Sequence, residues 1–222
     1  MKRHTPAGIA LALALGITAG SAAASTNLVV NGSFEDISAS TGIQQLANNT
    51  WNVFNSLPGW TTVSGAGIEV RRNVAGVAQD GVQFCELYSH NANPNSTMQQ
   101  VLSTVSGQRY SLSFWYSPRP NTATRPTDTN NMSVFWNGTT LLPTLSGTNN
   151  TGSHTWQQYT YAVTGTGTDI LRFGAFGTQD TYGGSLDNVS VTAVPEPGSL
   201  AMLLAGLGLM GGVARRRKAM QA

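Results

Sequence analysis

Between residues 25 and 194 apolar positions recur in short alternating runs, each closed by Gly, Asn, Pro, Ser or Thr. In YSLSFWYS (110–117), Leu112, Phe114 and Tyr116 alternate with Ser111, Ser113 and Trp115. Successive strand side chains point to opposite faces, so this run is a half-buried strand. TDILRFGAF (168–176) places Leu171, Phe173 and Ala175 on one face. MSVFWNGTTLL (132–142) is a hairpin turning on Asn137-Gly138, because both central residues of the favoured two-residue turn need positive φ. The pattern predicts strands at 27–30, 51–55, 60–63, 67–72, 82–88, 97–102, 110–117, 132–136, 139–142, 156–164, 168–175 and 186–192. No useful helical period and no internal repeat interrupts them. Many short strands with regular turns predict one all-β domain, a β-sandwich or jelly roll.

The two ends break the pattern. Met1-Lys2-Arg3-His4 is basic, Gly8 to Ala19 is apolar, and Ser21 to Ala24 is small. That order is a secretory signal peptide, 1–24, cleaved after Ala24, with Ala23 as the alternative. At the other end Ser199 to Val213 is apolar or small, and Arg215, Arg216, Arg217 and Lys218 follow at once. The stretch is shorter than the roughly 20 residues of a bilayer span. Glycines at 206, 208, 211 and 212 weaken it as a helix. The basic cluster would remain cytoplasmic with the rest of the chain outside. It shows no polar face, so packing on the domain as an amphipathic helix is not expected.

Charge changes its meaning once the ends are set aside. Of twelve Lys and Arg, two lie in the leader and four in the tail, leaving six, all arginine. Nine of the ten acids fall in 25–194, so the domain carries a net −3. A clustered basic footprint is missing, which argues against nucleic acid. Cys85 is the lone cysteine, expected as a small buried hydrophobe. His90 and His154 lie in polar loops without cysteine partners, a poor basis for a zinc site.

The order of secretory signal, Val-Pro-Glu-Pro (194–197), short Gly- and Leu-rich helix and arginine cluster resembles the PEP-CTERM sorting signal. Its sorting residues here are Pro195, Glu196, Pro197, Arg215, Arg216 and Arg217, within 195–218, with 219–222 a short remainder. The resemblance implies export, processing of the tail by an exosortase-type enzyme, and deposition at the envelope, surface or extracellular matrix of a Gram-negative bacterium. Until processing, the tail would hold the chain to the membrane as a short transmembrane helix. It says nothing about activity.

The domain carries a second resemblance. NLVVNGSFED (27–36) opens it, GGSLDNVSV (183–191) closes it, and DGVQFCELYS, MQQVLSTVSGQRYSLSFWYSPRP and DILRFGAFGT lie between. This order is similar to galactose-binding-like jelly rolls, the fold of many carbohydrate-binding modules. The resemblance implies adjoining first and last strands that share a structural calcium ion, with Glu35 and Asp187 as its carboxylates. Alternation independently places Asp187 on one face with Val189 and Val191, and a carboxylate aimed at a core needs a partner. Two partners stand level: calcium shared with Glu35, or neighbouring backbone amides.

No nucleophile elbow, phosphate loop or His-Glu-x-x-His motif occurs. Glu35, Glu69, Glu86, Asp80 and Asp128 supply carboxylates in number only, and they are expected to face solvent or cap turns. No catalysis is expected. Five tryptophans and six tyrosines offer rings that stack on sugar faces, although most should be core. Trp115 differs, because it shares its face with Ser111, Ser113 and Ser117 and so can form an outward platform. Beside it the 117–131 loop carries Arg119, Arg125 and Asp128. The loop is either functional or an inert connection. The expected function is an exported, non-catalytic surface or matrix protein that binds carbohydrate or exopolysaccharide. A purely structural surface protein is the alternative, and an exported hydrolase ranks third.

Overall fold

The computed structural model describes residues 26–88 and 94–195, and in the tail 204, 206–211 and 217. The leader, His90, Glu196, Pro197, Arg215 and Arg216 lie outside the described residues. Two antiparallel six-stranded sheets form a jelly-roll sandwich. The front sheet orders β1 (Thr50–Phe54), β4 (Ile68–Arg72), β5 (Phe84–Leu87), β12 (Gly184–Ala193), β7 (Arg109–Ser117) and β10 (Gln157–Thr164). The back sheet orders β2 (Ser56–Leu57), β3 (Trp60–Ser64), β6 (Thr97–Ser103), β11 (Thr168–Ala175), β8 (Met132–Trp136) and β9 (Thr139–Leu145). One short helix, α1 (Ser38–Thr41), precedes β1.

Alternation places the core between the sheets. Leu112, Phe114 and Tyr116 of β7 point inward and meet Leu171 and Phe173 of β11 within one cluster. Phe114 and Phe173 pack edge to face at 5.2 Å, the geometry that the ring quadrupole favours. Buried Trp60 and Trp136 each satisfy their indole N–H on a carbonyl, Asn31 and Thr164 respectively, both at 3.1 Å. The β8–β9 turn has Asn137 at φ 50 and Gly138 at φ 78, as its sequence requires.

The opening segment departs from expectation. Residues 27–30 do not form a ladder strand; they meet β12 through an isolated Asn27–Thr192 bridge and the Leu28 amide, which donates to Val191 O at 2.8 Å. The Asn27 carboxamide accepts the Val29 and Val191 amides, and the Gln100 side chain bonds both the N–H and the C=O of Val30. Side chains thus take the backbone groups that a ladder would use. The segment still lies against β12, so first and last segments adjoin.

β12 carries a bulge. Its register with β7 shifts between Asp187 and Ser190, and Asn188 adopts φ 49. An extra residue in one strand reverses the side-chain alternation beyond it. Val189 and Val191 therefore enter the core, whereas Asp187 stands opposite Trp115 on the outward face. The expectation that Asp187 shares a face with the two valines is corrected by this bulge.

In the tail, residues 204 and 206–211 are helical, and Leu204, Leu207, Leu209 and Met210 are exposed. Among the described residues no helix is long and apolar enough to cross a membrane.

Candidate functional site

The outward face of the front sheet is covered by loops, and strand register sets what lies beneath them. Val53, Glu69, Glu86, Ser185 and Ser117 form one row across β1, β4, β5, β12 and β7. Trp51, Arg71 and Phe84 form the adjacent row. Glu69 and Glu86 are thus direct cross-strand neighbours, an arrangement that like charges disfavour. Both are buried, at 1% and 0% exposure, so they neither face solvent nor cap turns as their sequence context suggested.

Two arginines resolve the repulsion. Arg71 Nε pairs with Glu69 and lies 3.1 Å from Glu86 Oε2. Arg119 Nη1 lies 3.0 Å from Glu86 Oε1, which also accepts the Gly183 amide at 3.1 Å. The Tyr88 hydroxyl faces Glu69 and favours its ionised form. Burial and the facing Glu86 charge raise the Glu69 carboxyl above the usual range, and Arg71 opposes them.

Above this network opens a cleft of about 270 Å³, just under the usual lower size of ligand sites. Glu69, Arg71, Tyr88 and Arg119 line it together with Trp51 and Tyr182. Trp51 is 45% exposed, with the Arg71 guanidinium 5.8 Å from its ring centre. Tyr182 carries two guanidinium groups over its ring, Arg119 at 4.3 Å and Arg125 at 3.9 Å. The arrangement offers one exposed ring, Trp51, beside fixed charged donors.

Val74, on the 73–80 strap, completes the wall. The strap is fastened to the sheet by named contacts. His154 Nδ1 donates to the Val77 carbonyl at 2.8 Å, which leaves Nε2 to accept the Ser185 hydroxyl at 2.9 Å. Trp156 Nε1 also donates to Val77 O, at 3.2 Å. The imidazole stands edge-on to Phe84 at 4.7 Å, and burial lowers its pKa to about 4. A Cβ at Gly76 would come within 2.3 Å of that ring, and φ is +129 there, so the close approach requires glycine.

The residues expected from sequence separate. Arg119 and Arg125 meet at Tyr182 beside the cleft. Trp115 faces outward and half-buried, opposite Asp187 and Gln158, but is not among the cleft residues. Asp128 accepts the Thr178 hydroxyl at 2.7 Å and is likewise apart from the cleft. The 117–131 loop is pinned: the Asn130 side chain accepts the Arg119 amide and donates to Thr122 Oγ1 and Gly147 O. Trp51, Arg71, Tyr88 and Tyr182 were not singled out from sequence as site residues. The signal available was IEVRR, which pairs a core face of Ile68 and Val70 with a charged face of Glu69 and Arg71.

Glu35 and Asp187 grip the 79–83 loop. Asp187 Oδ2 accepts the Gln79 and Asp80 amides at 2.7 and 3.0 Å, and Oδ1 accepts Asn188 N at 2.7 Å. Glu35 Oε1 accepts the Val82 and Gln83 amides, both at 2.7 Å, and Oε2 accepts the Gln45 carboxamide. Burial raises Asp187 to about 7 against the pull of its three amides. The groups directed at these carboxylates are N–H donors, where a calcium ion needs oxygens. This donor set does not fit a shared ion, and among the described residues no group of three or more His, Cys, Asp or Glu could hold a metal.

Comparison with known proteins bears on the tail and the fold. Residues 193–218 match the PEP-CTERM protein-sorting motif. The chain carries a PEP-CTERM sorting signal. No curated protein matches the chain by sequence. Among solved structures, a Stig cyclase from Fischerella sp. TAU aligns with TM-score 0.51 and 15% identity, over 78% of this chain and 99% of that one. This likeness is one of fold. The enzymatically active domain of tailspike protein 4 from bacteriophage CBA120 aligns at 0.44 and 15%, over 76% of this chain and 21% of that one. The chain thus spans about a fifth of the length of that tailspike domain. A CBM35 from Paenibacillus barcinonensis aligns at 0.41 and 24%, over 65% and 99%.

Proposed function

We propose that this PEP-CTERM protein is an envelope or matrix protein that binds carbohydrate, without catalysis, through the cleft over β4 and β5. The observation that carries the reading is the pairing of one exposed ring, Trp51, with a buried charged floor. Rings of this kind stack on sugar faces, and fixed polar groups meet hydroxyls. Both floor carboxylates are held by guanidinium groups. Neither is free as an acid or a base, which supports binding over hydrolysis. The sorting signal supplies the address. An exosortase-type enzyme would process the tail at Pro195-Glu196-Pro197, and the apolar segment would hold the chain to the membrane until then.

A polysaccharide array probed with the purified protein tests this reading. Retention should be selective and should fall sharply in Trp51→Ala, whose ring is half exposed and whose loss leaves the core intact. A wild-type protein that retains no polysaccharide but self-associates is a structural surface protein. Release of reducing ends would make it a hydrolase.

A further inference from the structure

We infer that the cleft recognises the carboxylate of an acidic saccharide, with Arg71 as the group that receives it. The inference rests on the carbohydrate-binding reading and names the class of sugar. Its motive is a buried guanidinium with unused donors. The Arg71 side chain is 6% exposed and lines the cleft, and its Nε is taken by the two glutamates. Its terminal nitrogens make no hydrogen bond to any of the described residues. These nitrogens border the cleft, so an entering acceptor can take them in charge-assisted hydrogen bonds in place of water.

The charges around it point the same way. Arg119 spends Nη1 on Glu86 and on Thr181 O. Arg125 makes no ion pair among the described residues, and its guanidinium rests on Tyr182. Asp128 and Asp180, the acids of the flanking loops, are engaged by Thr178, Thr129 and the Tyr182 amide. Among the described residues around the cleft, Arg71 and Arg125 therefore keep guanidinium N–H groups that no protein acceptor meets. The unmet demand is for acceptors. A hydroxyl offers one oxygen without charge, whereas a carboxylate offers two in the plane of a guanidinium fork. Trp51 beside Arg71 supplies the apolar plane for the ring that bears it.

The test uses the full-length protein and four sets of probes. Alginate, polygalacturonate and hyaluronate present uronates of different stereochemistry. The carboxyl-reduced form of each keeps the linkage and loses the charge. Dextran sulfate carries a different anion, and unmodified dextran and galactan are neutral. At least one uronate polymer should bind, with its reduced form weaker by about tenfold or more, the range of a charge-assisted hydrogen bond. Arg71→Lys keeps the charge opposite Glu69 and Glu86 but not the fork, and should weaken uronate binding by a similar factor. Should that variant fail to fold, the wild-type comparison with reduced polymer still decides, and Arg125→Gln on the surface should weaken the uronate several-fold. Equal binding of a uronate polymer and its reduced form overturns the inference while the carbohydrate reading stands. So does retention of the neutral polymers, or of dextran sulfate, without the uronates. A protein that retains none of the polymers overturns both.

Discussion

Glu69 and Glu86 face each other across β4 and β5, and one Arg71 Nε reaches both carboxylates. Strand register alone would make this pair repulsive. The guanidinium converts it into a platform, with Arg119 as a second clamp on Glu86. The same residues line the cleft, so the stability of the sheet and the chemistry of the site depend on one network.

Arg71→Met should therefore be severely destabilising. Removing one partner of a buried ion pair costs about 3–5 kcal/mol, because the remaining charge has no compensation. Adding Glu69→Gln and Glu86→Gln to that variant should restore much of the loss. Urea unfolding of wild type and the two variants checks both steps, and an Arg71→Met protein as stable as wild type would refute the network.

The pH dependence should split by residue. Asp187 has a usual value of 3.8 and a folded value of about 7. Between these the native state holds a proton that the unfolded chain has released, so stability falls as pH rises. One unit corresponds to about 1.4 kcal/mol, which bounds the effect near 4 kcal/mol. The advantage of wild type over Asp187→Asn should shrink across that interval and level off above it. His154 runs oppositely, from 6.5 unfolded to about 4 folded. The unfolded chain then holds the extra proton, and stability rises with pH. The advantage of wild type over His154→Gln should grow between those values. Urea midpoints across the interval give both slopes.

The strands were legible because a sheet with one packed face writes its period into the sequence, as β7 does. The Asn137-Gly138 turn was legible for its φ requirement. The face of Asp187 was not, since a bulge at Asn188 reverses alternation within a run that otherwise reads as regular. Burial of Glu69 and Glu86 was hidden for another reason. The cover over the outward face comes from the 73–80 strap and from loops distant in sequence, pinned by His154 and Asn130. Arg119 and Arg125 were found because their loop was conspicuous, whereas Arg71 sat inside a strand that seemed complete.

Calcium gives a direct check on the opening and closing segments. An ion held at a hundredfold excess over its dissociation constant would add about 2.7 kcal/mol. At roughly 2–4 °C per kcal/mol the melting temperature would then move by several degrees. Because amides occupy the oxygens of Glu35 and Asp187, wild type should melt at the same temperature in chelator and in millimolar calcium. A clear rise with calcium would mean that those amides give way to an ion.

The tail offers the last prediction. Its described helical residues expose Leu204, Leu207, Leu209 and Met210, although apolar side chains of that size would be buried if the helix packed on the sandwich. The front and back sheets close without it, since β12 ends at Ala193 and the Val194 amide already bonds Arg109 O at 2.9 Å. Removing 196–222 should leave the melting temperature of the sandwich within about 2 °C of the full chain, less than one lost contact of about 1 kcal/mol would cause. The same truncation should abolish association with membrane fractions and leave polysaccharide retention unchanged, because among the described residues none that lines the cleft lies beyond Tyr182. A truncated protein that melts far lower, or that loses its polysaccharide, would show that the tail belongs to the fold or the site and is not an address alone.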